Sequence, residues 1–486
     1  MKSSVLFLLS MALLGQTTSP HHFVPARQIP GIGVARDDLS DETLAARTDL
    51  MIQTQTFGIM RDPMAVDGAR RVTTNSKLQS LFRSAAQRSG FPEATLEAIA
   101  YLESWGDAKA ESPSGPKGIM QVSEATARVM GLNVTHATRY RVTRERVQVK
   151  SKSKKPKFKT VTRKDPYTVT VRDDRLNPDR AIPAAAAYLA GMEQKFGGRD
   201  WAIFAYHCGQ GCAARLLDLT RAARGIPPEQ ATVARMFFSA NPVWNREIYE
   251  TVQREMQRDW SPTYWFRVMR AQQLLALYRR DPQEFASLAQ QYKSEFIPGR
   301  APHRLTVWLT RSDLLFHSGG DIRSGLGGKL LVRAFDRPEY FGYSLNILAD
   351  STADREDHAK GTPAAIGTLT YVAFETRRLY DALDPGGDRF RPLEVVSLVE
   401  PEDYARQLSE REALSHVSGQ VFDIDYSALP PREMECLRFV LDDLGWAGYL
   451  GFVDEGPHTL HVGCAPGARG FFTAVFEEAS GYRPAD

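Results

Sequence analysis

The sequence predicts a multidomain protein: a mainly α domain carrying a β-ribbon insertion, followed by an α+β domain. Three features carry that reading. Apolar residues recur at helical spacing through residues 77–131 and again in "AIPAAAAYLAGMEQKFG", "DWAIFAYHCGQGCAARLL" and "WNREIYETVQREM". Between these blocks, residues 133–174 alternate β-branched or aromatic residues with polar ones ("YRVTRERVQV", "YTVTV") around a Lys/Ser/Pro run. That is the pattern of a two-stranded ribbon with a basic tip. After "PGRAP" at 298–302, a turn-rich boundary, strand-like and helix-like stretches mix. The 486 residues suffice for two or three cores, and 43% hydrophobic with 24% charged is ordinary globular composition.

The elements follow in chain order. Lys2 precedes the apolar run "VLFLLSMALLG", and small and polar residues come next. This is the form of a secretory signal peptide over residues 1–19, so the chain is expected to be exported and periplasmic or cell-wall associated. The run is short for a membrane span, and no later segment is apolar enough to make one. Residues 20–76 read as a linker with a helix over "SDETLAARTDLMIQT", 77–262 as the helical domain and 263–300 as a helical connector. Residues 301–486 form the α+β domain. Its expected strands are "RLTVWLT", "KLLVRAF", "PLEVVSLV", "AGYLGFV" and "TLHVGC"; its helices are "PAAIGTLTYVAFETRRLYDAL" and "PREMECLRFVLDDL".

Net charge is +3 but uneven. From Arg139 to Lys164, twelve basic residues accompany Glu145 alone, a local +11, which leaves −8 for the rest. A concentrated positive field on a mildly acidic protein suits an anionic polymer, and for an exported chain a wall polymer rather than nucleic acid. The cysteines are Cys208, Cys212, Cys436 and Cys464. Export permits disulfides, four cysteines allow three full pairings, and buried thiols are the alternative.

The stretch "FPEATLEAIAYLESWGD", residues 91–107, holds the first candidate site. Pro92 suits a helix start, and Leu96, Ile99, Ala100 and Glu103 share one face. A carboxylic acid on an apolar face at the negative end of a helix favours its protonated form. Such a group can donate a proton to a leaving oxygen.

Four blocks resemble soluble lytic transglycosylases. "ESWGDAKAESPSGPKGIMQVSEATA" contains the acid–serine pair Glu103–Ser104 and the Gly118–Ile119–Met120–Gln121 turn, with Thr126–Ala127 after it. "NPDRAIPAAAAYLAGMEQKFGG", "AIFAYHCGQG" with Tyr206, and "NREIYETV" with Tyr249 follow in the family order. The resemblance implies a lysozyme-like fold and cleavage of peptidoglycan glycan strands between N-acetylmuramic acid and N-acetylglucosamine, with a 1,6-anhydro product and no cofactor. Glu103 would serve as both acid and base. Ser104, Met120, Gln121, Tyr206, His207 and Tyr249 would bind substrate. His207 and Ala181 stand where the family usually has asparagine. A hydrolytic lysozyme, which usually uses a second carboxylate, is the alternative enzyme; Asp107, Asp173 and Asp174 are its candidates. A non-catalytic wall-binding protein is the alternative outside enzymes.

The second site lies in "SHVSGQVFDIDY", residues 415–426, and "DEGPHTLHV", residues 454–462. Two histidines and an aspartate are suitable zinc ligands that leave a position for water. These stretches resemble the zinc D-Ala-D-Ala carboxypeptidases and their lysostaphin and hedgehog relatives. The resemblance implies Zn²⁺ on His416, Asp423 and His461, with His458 or Glu455 as base, and stem peptides as partner. The reverse register, with His458 as ligand and Glu455 three before it, stays open. Glu400 stands where that family usually has an arginine for the oxyanion and peptide.

Overall fold

The computed structural model describes residues 22–29, 40–60, 62–149, 157–223, 226–256, 261–292, 315–325, 327–349, 351–386, 390–407, 414–455 and 457–483. The expected signal peptide, the "RLTVWLT" strand and the "PGRAP" boundary lie outside these residues. The chain divides into two compact units. A ribbon unit comprises Pro63–Gln210 and Arg267–Gln291; a sheet unit comprises Met1–Asp62, Gly211–Phe266 and Tyr292–Asp486.

Local signals end the helices of the ribbon unit. Asn75 accepts the Leu78 N–H at the start of helix Ser76–Ser89, which Gly90 closes in the left-handed region. Pro92 precedes helix Glu93–Ser104. Ser123 caps Glu124–Val129, and Asn177 caps Pro178–Phe196. Helix Arg199–Cys208 follows. Their inner faces bury Phe82, Leu96, Ile99, Tyr101, Trp201 and Phe204, each worth about 1.5–3 kcal/mol of apolar transfer.

Helix Glu93–Ser104 departs from the expectation that its buried acid is Glu103. The acid on its buried face is Glu97, 2% exposed, rather than Glu103. The Glu97 carboxylate accepts from Gln79 Nε2 at 2.7 Å and Arg279 Nη2 at 2.6 Å. Those partners offset the cost of burying charge. Glu103, one and a half turns on, keeps 17% of its side chain exposed.

The ribbon forms as the alternation predicts. β1 (Val134–Val149) and β2 (Lys157–Asp173) pair antiparallel from Val134↔Asp173 to Val149↔Lys157, with one irregularity at Thr135/His136.

The sheet unit contains β3 (Val332–Arg333), β4 (Tyr343–Leu345), β5 (Lys360–Gly361), β6 (Leu393–Ser397), β7 (Val421–Asp425), β8 (Leu450–Glu455) and β9 (Thr459–Cys464). β3 pairs with β5; the main sheet runs β4-β6-β7-β9-β8, with β4 parallel to β6 and the other pairs antiparallel. Helices Pro363–Leu383, Pro431–Trp446 and Arg469–Ser480 share its core with the sheet. In "KLLVRAF" only Val332–Arg333 are strand, because Gly327–Leu330 turn into a short helix.

Residues 211–266, read from sequence with the 77–262 domain, group with the sheet unit. The contacts explain this. The Phe237 ring lies 5.0 Å from Trp446, Tyr249 packs edge-on to Phe439 at 5.6 Å, and Arg246 meets Glu435 at 3.2 Å. Helix Asp41–Met60 joins the same group through Thr54 Oγ1, which donates to the Trp446 carbonyl at 2.7 Å. Residues 22–29 form a strap on this unit. Phe23 N–H donates to the Tyr340 carbonyl, Ala26 N–H to Glu478, and Ile29 N–H to the Tyr371 hydroxyl. The Phe23 ring meets Tyr482 at 5.5 Å.

Among the described residues no disulfide forms; Cys212, Cys436 and Cys464 are buried thiols. Among those residues no helix is long and apolar enough to cross a membrane.

Candidate active site

Glu103 occupies the last turn of helix Glu93–Ser104, and the chain after it is sharply bent. Trp105 caps the helix at φ 53°. The Trp105 and Gly106 N–H groups donate back to the Tyr101 and Ala100 carbonyls. Trp105 and Gln121 are the two non-glycine residues with positive φ among those described. Both flank the candidate site, where backbone strain concentrates in folded proteins.

Ser104 fastens the facing turn. It is buried, and its hydroxyl lies 2.8 Å from the Ile119 carbonyl and 3.0 Å from that of Ala100. Gln121, at φ 44°, reaches back with Nε2 to the carbonyls of Gly118 (2.9 Å) and Ala110 (3.2 Å). Gly118 is required by space as well as by its φ of 79°: a Cβ there would lie 1.8 Å from the Arg175 carbonyl oxygen. The Met120 side chain is fully buried, and its carbonyl accepts the Tyr206 hydroxyl at 2.6 Å. Burial, then the charge of Glu103, holds the Tyr206 hydroxyl well above its usual pKa, so it stays a neutral donor. His207 Nδ1 lies 3.9 Å from Glu103 Oε1.

Thus Glu103, Ser104, Met120, Gln121, Tyr206 and His207 all belong to the ribbon unit, linked by the contacts above. Tyr249 is in the sheet unit, 6% exposed against Phe439. Tyr188, not among the sequence candidates, adjoins this cluster: its ring is T-shaped to Tyr206 at 6.3 Å, and its hydroxyl accepts from Gln210. The "AYL" of the second sequence block was its signal. Of the three spare carboxylates, Asp107 is exposed and accepts the Lys109 N–H. Asp173 forms a two-toothed pair with Arg175 at 2.7–2.8 Å. Burial opposes its charge, but the Arg175 hydrogen bonds and charge lower its pKa overall. Asp174 holds Asn133 and Arg172. These last two acids build the ribbon's root.

Residues 80–146 and 147–225 match the Transglycosylase SLT domain. The two matched segments meet inside β1. The chain is 34% identical over 137 residues to the peptidoglycan transglycosylase gp16 of Escherichia phage T7, covering 28% of this chain and 8% of that protein. It is 28% identical over 178 residues to the membrane-bound lytic murein transglycosylase F of Alcanivorax borkumensis, covering 35% and 30%. The aligned region thus spans less than a third of either relative. The SLT match includes every ribbon-unit residue of the site and stops before Tyr249.

The sheet unit holds a separate cluster. Asp423 on β7 is the cross-strand partner of His461 on β9. Gly419, at φ 65°, makes the turn between His416 and Asp423, and a Cβ there would lie 2.7 Å from Leu331 Cδ2. His416 Nε2 is 3.2 Å from both Asp423 Oδ1 and His461 Nδ1, and His461 Nδ1 is 2.8 Å from Asp423 Oδ1. His416 Nδ1 faces the Leu398 carbonyl at 2.6 Å and Ser397 Oγ at 3.0 Å. Burial opposes charge on both His416 and Asp423, yet each stabilises the other's charged form, raising the histidine and lowering the aspartate. His461, not His458, joins the cluster. His458 is exposed on the β8–β9 turn with its ring edge-on to Tyr426 at 5.7 Å. The Glu455 side chain lies outside the description. Glu400 is buried; Oε1 accepts from Ser397 Oγ, and Oε2 is a buried oxygen without a hydrogen bond among the described residues.

Proposed function

We propose that the ribbon unit is a peptidoglycan lytic transglycosylase in an exported, wall-associated protein. The observation that carries this is the frame around Glu103. A partly sheltered acid, at 17% side-chain exposure, sits in one structure with the Ser104-held turn and the Tyr206–Met120 hydrogen bond. The SLT match over the same residues and the names of the relatives support it.

Glu103 gives its proton to the oxygen joining N-acetylmuramic acid to N-acetylglucosamine. The muramoyl C6 hydroxyl then bonds to C1 as its proton passes to the Glu103 carboxylate. The C1–O bridge breaks, a 1,6-anhydro ring closes, and no water is consumed. One carboxyl serves twice, so no second carboxylate and no cofactor is needed. Ser104 acts by positioning the turn. Gln121 and Tyr206 line the sugar site, with His207 as the neighbour that the family's asparagine usually supplies. Mass spectrometry of digested peptidoglycan is the test. Fragments lighter by one water support the reading; hydrated ends would make the unit a lysozyme, and no fragments would leave a wall-binding protein.

A specific observation favours a second reading for the sheet unit, as a zinc domain that binds or trims stem peptides. The donor set of His416, Asp423 and His461 fits zinc. Ligands about 2.0–2.1 Å from a tetrahedral zinc stand roughly 3.3 Å apart, close to the 2.8–3.2 Å found. The Nδ1 side of His416 is occupied by backbone and serine oxygens, which leaves Nε2 for a metal. Bound zinc would polarise a carbonyl and acidify a bound water. Glu400 in place of an arginine puts a negative group where a peptide carboxylate would need a positive one, which favours binding over cleavage. Metal analysis of purified protein tests the ligand set.

A further inference from the structure

Among the described residues β1 and β2 pair only with each other, and from Thr138 to Val147 and from Phe158 to Thr168 every residue is exposed. Neither face covers a core. Yet seven of the twelve exposed large hydrophobics among the described residues lie here, among them Tyr140, Phe158 and Tyr167. Basic residues are interleaved with them. The register sets Arg139 opposite Tyr167, Lys164 opposite Val142 and Lys159 opposite Val147. Arg141 lies over the Tyr167 ring at 6.0 Å and Arg146 over Phe158 at 5.5 Å. Flat rings edged by guanidinium groups hold sugar faces and carboxylates together.

The root is tied by buried hydrogen bonds and adjoins the Glu103 frame. Arg175, buried and paired with Asp173, donates from Nη1 to the Gly115 and Val122 carbonyls. Its own carbonyl is the atom that forbids a side chain at Gly118. The chain just past β2 therefore packs against the turn that carries Met120 and Gln121.

We propose that the ribbon is a second binding element for the wall polymer, taking peptide-bearing strands through their carboxylates and stacking sugars on Tyr140, Phe158 and Tyr167. This deepens the transglycosylase reading by naming the charged, peptide-substituted strand as the form recognised, and it rests on that reading for the choice of polymer.

The test measures binding and not cutting, so that its failure is separate from a failure of the chemistry. The full chain carrying Glu103→Gln is sedimented with purified sacculi, native or with carboxyl groups amidated, over a range of NaCl. A charge variant adds Arg139→Gln, Arg141→Gln, Arg144→Gln, Arg146→Gln and Lys159→Gln. Its affinity for native sacculi should fall by about tenfold or more, as summed exposed charge contacts predict, and its salt dependence should flatten. On amidated sacculi the two proteins should bind alike. Replacing the same four arginines by lysine keeps the charge and should keep the binding, which separates charge from folding. A ring variant, Tyr140→Ser with Phe158→Ser and Tyr167→Ser, should weaken binding to both wall forms. Equal binding of parent and charge variant to native sacculi overturns the proposal. So does a difference that persists on amidated sacculi, a lysine set as weak as the glutamine set, or retention by double-stranded DNA without retention by sacculi.

Discussion

Of the three acids on helix Glu93–Ser104, Glu97 and Glu103 have opposite assignments, and exchanging each for its amide separates them. Glu103→Gln keeps shape but removes the transferable proton. General acid–base catalysis contributes about 10²–10⁴-fold, which is roughly 2.7–5.5 kcal/mol of barrier at about 1.36 kcal/mol per decade. The side chain is 17% exposed and the amide has the same shape, so stability should change by less than about 1.5 kcal/mol, the scale of one hydrogen bond. Glu97→Gln should do the reverse. It ends a charged hydrogen bond to Arg279 at 2.6 Å and leaves Gln79 facing an amide. Breaking a buried pair costs about 3–5 kcal/mol. Arg279 is 39% exposed and can turn to water, so about 2–3 kcal/mol is expected here. The assay pairs urea melts with the rate of anhydro-product release measured well below the melting transition. A Glu103→Gln protein that retains more than about a tenth of the wild-type rate would refute the acid's role. A Glu97→Gln protein that melts like wild type but does not cut would refute the division of labour.

Other outcomes follow from the same structure. Gly118→Ala forces a Cβ to within 1.8 Å of the Arg175 carbonyl at a positive φ; it should cost more than about 2 kcal/mol and reduce cutting, read by melts and product assays. Metal analysis should find one zinc per chain, lost in His461→Ala and Asp423→Ala and kept in His458→Ala; loss only in His458→Ala would reverse the ligand register. Glu375 is buried, with Arg378 Nε 3.6 Å from its Oε2, and burial pushes its pKa up from 4.5 to about 7. A carboxyl whose pKa is raised in the folded state costs nothing below its unfolded pKa; the cost accrues as pH rises from about 4.5 to about 7 and levels off above that at about 3 kcal/mol. Glu375→Gln should therefore stabilise the protein at pH 8 but not at pH 4, as measured by urea melts; equal effects at both would contradict the burial argument.

Much of the site was legible because its demands are local. Glu103–Ser104, the Gly118–Gln121 turn and the spacing of His416 from Asp423 depend on helix ends, positive φ and strand register, which leave marks within a few residues. What was illegible depends on partners far along the chain. Nothing near Glu97 announces that Arg279 will neutralise it, so Glu103 looked like the buried acid. Asp173 and Asp174 looked like spare carboxylates until Arg175, Arg172 and Asn133 closed on them. The grouping of residues 211–266 hangs on Phe237 and Tyr249 finding Trp446 and Phe439, pairings that periodicity cannot foretell.

The strap has a consequence for the order in which the chain folds. Ala26 and Glu478 are 452 positions apart, and the Phe23 ring rests on Tyr482. Closing so long a loop comes late and slowly. The sheet unit thus reaches its finished form only after its last helix has been synthesised, and a chain cut short before residue 469 would keep Tyr340 and Tyr371 for Phe23 and Ile29 but leave Ala26 without Glu478 and the Phe23 ring without Tyr482.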